Sequence, residues 1–268
     1  MMMSPLFTSL VENSLLLMAP EPEDETGLVV SEEQILLDAQ SSEIPRYRLQ
    51  INDKEVIVEE LEDLMEYPKI GTVRDLYLDD NEFSDAGVEV LAQAPALENL
   101  VLLSLKGNKL SDRAARALAE SKTLLHLKKL FIQDNRLGAV GMTALGNSAT
   151  LAGLEVLYLN KNPLGPEGAK AIAGSPRWRN LKELYLQYTG IGLEGLKALC
   201  QSEVLSSVKT LSLAGNRLGE EAAAVLGTCP HLRKVVTLDL YGNRISEDGA
   251  ELIRSSNLFP RLRALQVD

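Results

Sequence analysis

The stretch LKKLFIQDNRL, from Leu127 to Leu137, decides how the chain folds, because it returns in the same frame as LEVLYLNKNPL from Leu154 and VKTLSLAGNRL from Val208. Its asparagine column holds Asn81, Asn108, Asn135, Asn162, Asn216 and Asn243, all multiples of 27 residues apart, with Thr189 in the remaining slot and no gap. Seven full units start at 73, 100, 127, 154, 181, 208 and 235, and a truncated eighth starts at Leu262. A unit this short cannot bury its apolar face alone, whereas a stack of such units shares one continuous core.

Within the unit, Leu76, Leu103, Leu130, Leu157, Leu184, Leu211 and Leu238 are followed two positions later by Leu78, Leu105, Ile132, Leu159, Leu186, Leu213 and Leu240. Alternation at period two points both columns to one face of a short strand, so successive units contribute parallel neighbouring strands. The asparagine amide can bond backbone groups where the chain turns away, which predicts a ladder of stacked side chains. Thr189 lacks that amide and marks either a weak point or a turn remodelled for function. Ser84, Ser111, Gly138, Gly165, Gly192, Gly219 and Ser246 then fall at expected helix N-caps. Helices such as SDAGVEVLA and GPEGAKAIA follow, with acids in the first turn where the dipole favours them. Leu97, Leu124, Leu151, Trp178, Leu205, Leu232 and Phe259 close the units, which makes Trp178 a core residue. Because helices are wider than strands, the expected architecture is an α/β solenoid, a horseshoe with a concave parallel sheet and convex helices.

Residues 73–268, with this strand-turn-helix unit and its G-x-E-G-A-type helices, resemble the leucine-rich repeats of ribonuclease inhibitor and of Ran GTPase-activating protein. The resemblance implies the fold directly. It implies function only loosely, since the family binds unrelated partners through variable positions.

Shifting the frame back by 27 residues places Leu49, Ile51, Val56, Leu61, Leu64 and Ile70 in their columns, so residues 46–72 read as a degenerate N-terminal capping repeat with an acidic helix. Residues 1–45 read as an acidic, partly disordered leader. An amphipathic helix is expected around Leu6, Phe7, Leu10, Val11 and Leu17, a second helix at the S-E-E-Q capping box from Ser31, and a linker at PEPEDETG. At the other end RALQVD is a strand without a cap. Its edge either invites self-association as a homo-oligomer or is kept soluble by Arg261, Arg263 and Asp268.

The net charge of −11 sits mostly in the leader, whose first 45 residues carry nine acids and neither Lys nor Arg. No basic footprint for nucleic acid is visible. The apolar run Leu15 to Met18 lacks the basic region of a secretion signal, and no stretch is long enough to cross a bilayer. These features point to a cytoplasmic protein without membrane partners, whose two cysteines, Cys200 and Cys229, are reduced packing thiols. His126 and His231 fall in loops with no Cys, Ser or Asp at a suggestive spacing. No zinc pattern, phosphate loop or nucleophile elbow occurs, so no catalytic residues, metal or cofactor are expected.

What remains free to vary is the outward column of each strand: Tyr77, Ser104, Phe131, Tyr158, Tyr185, Ser212 and Asp239. Two residues on come Asp79, Lys106, Gln133, Asn160, Gln187, Ala214 and Tyr241, with Tyr188 one further along. Six of the twelve aromatics thus face the inner curve. Buried aromatic anchors dominate many interfaces, so Tyr77, Phe131, Tyr158, Tyr185, Tyr188 and Tyr241, with Lys106, Lys129 and Lys161 beside them, are the candidate partner-binding residues. Lys109, Arg136, Arg217 and Arg244 add a basic rim that would steer an acidic lip. The leading reading is a non-catalytic scaffold for a protein partner. The resemblance adds an alternative, activation or inhibition of a GTPase or another enzyme, for which Asp134, Arg136 or Asn160 could reach a partner's active site.

Overall fold

Each leucine pair of the repeat lies on one strand, and the strands pair in chain order. The computed structural model describes residues 3–18, 46–81 and 83–268. Its ten-stranded sheet runs β1 (Leu15–Leu17), β2 (Tyr47–Gln50), β3 (Val73–Tyr77), β4 (Leu102–Ser104), β5 (Lys129–Phe131), β6 (Val156–Tyr158), β7 (Glu183–Tyr185), β8 (Thr210–Ser212), β9 (Thr237–Asp239) and β10 (Ala264–Gln266). From β2 onward every pairing is parallel, and between β3 and β9 the register advances one repeat per strand, placing Leu76 to Leu238 in a single buried row.

The return path of each unit is a helix: α1 (Pro5–Ser14) precedes the sheet, then α2 (Val58–Met65), α3 (Ser84–Gln93), α4 (Asp112–Glu120), α5 (Ala139–Asn147), α6 (Gly165–Ala173), α7 (Gly192–Cys200), α8 (Glu221–Gly227) and α9 (Glu247–Arg254) alternate with the strands. Consecutive helices from α2 to α9 pack on one another and form the convex layer. Between the layers the strand leucines, the helix knobs Leu91, Leu118, Leu145 and Leu199, and Trp178 are wholly or almost wholly excluded from solvent. At about 25 cal/mol per Å² of apolar surface, this shared burial is the main stabilising term.

Two polar ladders hold the units in register. Asn135 Oδ1 accepts from the Asn108 and Leu110 N–H groups at 3.1 and 2.9 Å, while its Nδ2 donates to Leu105 O at 3.0 Å. The same pattern recurs at Asn81, Asn216 and Asn243. At the helix ends, Ser121, Ser148, Ser175 and Ser202 each donate a hydroxyl to a carbonyl of the preceding repeat, at 2.6–2.7 Å. Cys229 occupies that serine column and makes the same contact through sulfur, to Cys200 O at 3.4 Å. Acids at the helix starts add a third tie. Asp85 accepts from Ser111 N, Asp112 from Gly138 N, and Glu220 from Ser246 N, each at 2.7 Å.

Helix starts depart partly from expectation. Ser111 and Ser246 do cap α4 and α9, but Ser84, Gly165 and Gly192 are first helical residues with φ of +57°, +62° and +60°. There the buried anchors Phe83, Leu164 and Ile191 stand at the cap position, and the chain turns sharply just after them.

At the N-terminal edge, α1 is capped by Ser4, buries Phe7 and Val11, and ends at Ser14 instead of reaching Leu17. Leu15–Leu17 leave the helix and pair antiparallel with β2, covering backbone groups that would otherwise be an open edge. The Ser31 capping box and PEPEDETG lie outside the described residues. At β10 the sequence showed no cap, but the Asp268 carboxylate accepts from Gly242 N at 2.6 Å and Ile245 N at 3.0 Å. It thereby ties β10 to the turn that follows β9. No helix among the described residues is long and apolar enough to cross a membrane.

Candidate protein-binding surface

Strand register turns the outward column into a row of side chains crossing the sheet: Tyr77, Ser104, Phe131, Tyr158, Tyr185, Ser212, Asp239. Neighbouring strands are about 4.8 Å apart, close enough for rings on adjacent strands to stack. The Phe131 and Tyr158 centroids are 4.4 Å apart at 29°, and those of Tyr158 and Tyr185 are 4.1 Å apart at 53°. The first pair is stacked and the second tilted, so the three rings form one contiguous aromatic patch along the row. The Tyr185 hydroxyl donates to Glu183 Oε2 at 3.1 Å. Burial, with Tyr158 and Glu183 beside it, pushes its pKa well up, so it stays a donor.

Ser104 and Ser212 flank the stack, and each is tied down by an aspartate: Ser104 Oγ donates to Asp79 at 2.6 Å and Ser212 Oγ to Asp239 at 2.6 Å. Asp79 also accepts from Lys106 N at 2.9 Å, yet burial outweighs both bonds and raises its pKa. In the next row Gln133 and Gln187 each hold a buried side-chain oxygen with no hydrogen-bond partner. Such an orphan costs about 1–3 kcal/mol.

The sequence-level candidates divide into two groups. Phe131, Tyr158 and Tyr185 form the stack, and Tyr188 and Tyr241 stand exposed at its C-terminal margin, 57% and 51% accessible. Tyr77 lies apart, beyond Ser104. Its ring carries the Arg48 guanidinium at 5.6 Å, and Arg48 also pairs with Asp75 at 3.1 Å. Lys106 is engaged by Asp80 at 3.1 Å and Lys161 by Asp134 at 3.9 Å, while Lys129 is exposed at the head of β5.

One signal went unread in the sequence. The residue before each asparagine slot is left-handed at Asp53, Asp80, Gly107, Asp134, Lys161, Tyr188, Gly215 and Gly242. Aspartate and glycine tolerate this conformation, whereas a bulky aromatic there is strained. Tyr188, at φ +56°, is that exception, and its ring lies over Gly215, where any Cβ would come within 2.3 Å of it.

Chemistry elsewhere is sparse. The structure brings Ser206 Oγ within 2.9 Å of His231 Nδ1, a pairing the spacing did not suggest, but among the described residues no carboxylate hydrogen-bonds that histidine. No group of three or more His, Cys, Asp or Glu that could hold a metal occurs among the described residues. A depression of about 490 Å³ lies on the helical side between α3 and α4, lined by Glu89, Arg113 and Glu120. The aromatic row is an open face, a shape suited to a macromolecular surface more than to a small molecule.

These features define the class: the fold is a leucine-rich repeat solenoid. Residues 72–92, 123–146, 154–173 and 179–200 match the family described as Leucine Rich repeat. No curated protein sequence matches the chain. Among solved structures, an internalin (inlF) from Listeria monocytogenes is similar with a TM-score of 0.45 and 18% identity, over 82% of this chain and 66% of the internalin chain. The match thus spans slightly less than two thirds of that protein.

Proposed function

We propose that this protein is a non-catalytic interaction scaffold that captures a protein partner across its concave sheet. Phe131, Tyr158, Tyr185 and Tyr188 form the energetic centre of that surface, and Tyr77, Tyr241, Lys106, Lys129 and Lys161 its margin. The observation that carries this reading is the three-ring stack beside the orphaned oxygens of Gln133 and Gln187, on a face the fold leaves open. Leucine-rich repeat proteins generally mediate protein–protein contacts, which supports the class of activity. One α-helix per 27-residue repeat supports the ribonuclease-inhibitor type. Free thiols at Cys200 and Cys229 support a reducing, cytoplasmic setting.

The test is comparative capture from native lysate with the wild-type chain, Tyr158→Ala/Tyr185→Ala and a helical-face control, Arg113→Ala/Arg116→Ala. Truncating an aromatic hot spot costs about 2 kcal/mol or more, so a partner held by the wild type and the control should be lost from the concave variant. Equal recovery by all three would remove the proposal.

A further inference from the structure

The chain contains its own example of how this sheet grips a guanidinium. In β3, Asp75 and Tyr77 are two positions apart and hold Arg48, whose guanidinium pairs with the carboxylate at 3.1 Å and lies 5.6 Å from the ring centroid. In the repeat columns of Asp75 and Tyr77, an acid followed by a tyrosine recurs once, as Glu183 and Tyr185 in β7, four repeats further on. Among the described residues no arginine serves that second pair. The neighbours of Glu183 in register are Val156 and Thr210.

The side from which a cation could approach is set by the stack. Tyr158 lies against Tyr185 on the β6 side, ring centroids 4.1 Å apart at 53°, and on its other side Tyr185 borders β8. There the row carries only Ser212 and the next row Ala214, both short, so the walls rise above them: Tyr185 on β7 and Asp239 on β9. Two strand spacings put these walls roughly 9–10 Å apart, room for a planar group against the ring with a carboxylate beyond it. Asp239 is pre-set, accepting from Ser212 Oγ at 2.6 Å and Tyr241 N at 3.1 Å.

The charges agree. Asp75 is answered by Arg48, Asp80 by Lys106, Asp134 by Lys161, and Glu155 by Lys128 and Lys182. Among the described residues Glu183 and Asp239 have no such cation, and the buried oxygen of Gln187 beside them lacks a donor. We propose that the notch over β8 receives an arginine side chain of the protein partner. Its guanidinium stacks on the free face of Tyr185 and pairs with Glu183 and Asp239. A planar five-donor cation fits a ring face and several acceptors better than an ammonium does. This rests on the concave-face reading and specifies what that face recognises.

The experiment is a titration of the ¹⁵N-labelled full chain with acetyl-Gly-Arg-Gly-amide, and with the same peptide carrying citrulline, which keeps the shape and removes the charge. Saturable amide shifts are expected at Leu213, Ala214 and Leu240 with arginine, and little change with citrulline. Glu183→Gln/Asp239→Asn should weaken the arginine peptide about tenfold or more, since each lost bond is to a charged group. Should Asp239→Asn loosen the face, Ser212→Leu raises the notch floor while keeping both charges, and it should also abolish the shifts. The inference is overturned if citrulline shifts the same amides equally, if arginine shifts none of them, or if both variants bind as the native chain does. Such a failure, together with loss of partner capture by Tyr158→Ala/Tyr185→Ala, would remove the arginine notch and leave the concave-face reading in place.

Discussion

Replacing Thr189 with asparagine should stabilise the protein. In an intact rung, Asn135 takes up the N–H groups of Asn108 and Leu110 and reaches back to Leu105 O. The hydroxyl of Thr189, equally buried, bonds only Leu186 O at 2.7 Å and the following Asn216 Oδ1 at 3.0 Å. This side chain offers nothing to the preceding repeat, where Leu164 N turns instead to Asn162 O at 2.8 Å. An asparagine would add an acceptor for Asn162 N and Leu164 N and a donor to Leu159 O. It would keep the bond to Leu186 O, as Asn216 does to Leu213 O, and lose the one to Asn216 and that of Leu164 N to Asn162 O. Three bonds gained and two lost, at about 1 kcal/mol each, leave about 1 kcal/mol, or roughly 2–4 °C in Tm for a chain of this size. Thermal and urea melts followed by far-UV circular dichroism should show it. Asn135→Ala is the companion variant. It strands two buried N–H groups and a carbonyl, at about 3–5 kcal/mol. If Asn135→Ala costs that much while Thr189→Asn is neutral or harmful, the ladder does not explain Thr189, and its turn is shaped by something else.

Tyr188→Asn should relieve a left-handed strain of about 1 kcal/mol while reducing partner capture, so a variant that melts at or above the native temperature but still captures the partner fully would contradict a recognition role. Asp79 keeps its proton to higher pH folded than unfolded, because burial raises its pKa; stability contributed by this group therefore falls as pH rises through the carboxylate range. Asp79→Asn retains an acceptor for Ser104 and Lys106 N, so its stability relative to the native chain should improve from pH 3 to pH 7 in urea titrations, and a pH-independent difference would exclude the assignment. Cys200 and Cys229 are buried, and the contact with Cys229 together with burial raises the Cys200 pKa. Thiol reagent should therefore label the native chain far more slowly than the urea-unfolded chain, and equal rates would show that the helix ends open readily.

The sequence alone determined the solenoid, because every element of it is a contact between equivalent positions. Once Leu130 faces the core, Leu103 and Leu157 must do the same beside it, and Asn108 and Asn135 are carried into bonding distance by that stacking. The period of 27 residues specifies strand direction, register and the face left outward, and so named the column from Tyr77 to Asp239 without any coordinates. Contacts between unlike positions were not legible. That Arg48 claims Tyr77, that Asp268 accepts from the Gly242 and Ile245 N–H groups, that Leu15–Leu17 run antiparallel to β2, and that Cys229 stands in for a serine all depend on which side chains lie across a strand gap or a repeat junction. The same holds for the proposed recognition surface: an aromatic column could be read, but the ring-to-ring contacts, the orphaned glutamine oxygens and the acids Glu183 and Asp239 without a cation exist only once neighbouring strands lie about 4.8 Å apart. Periodic burial is a property of the chain's pattern, whereas pairing among the variable side chains is set by distances that the folded stack alone supplies.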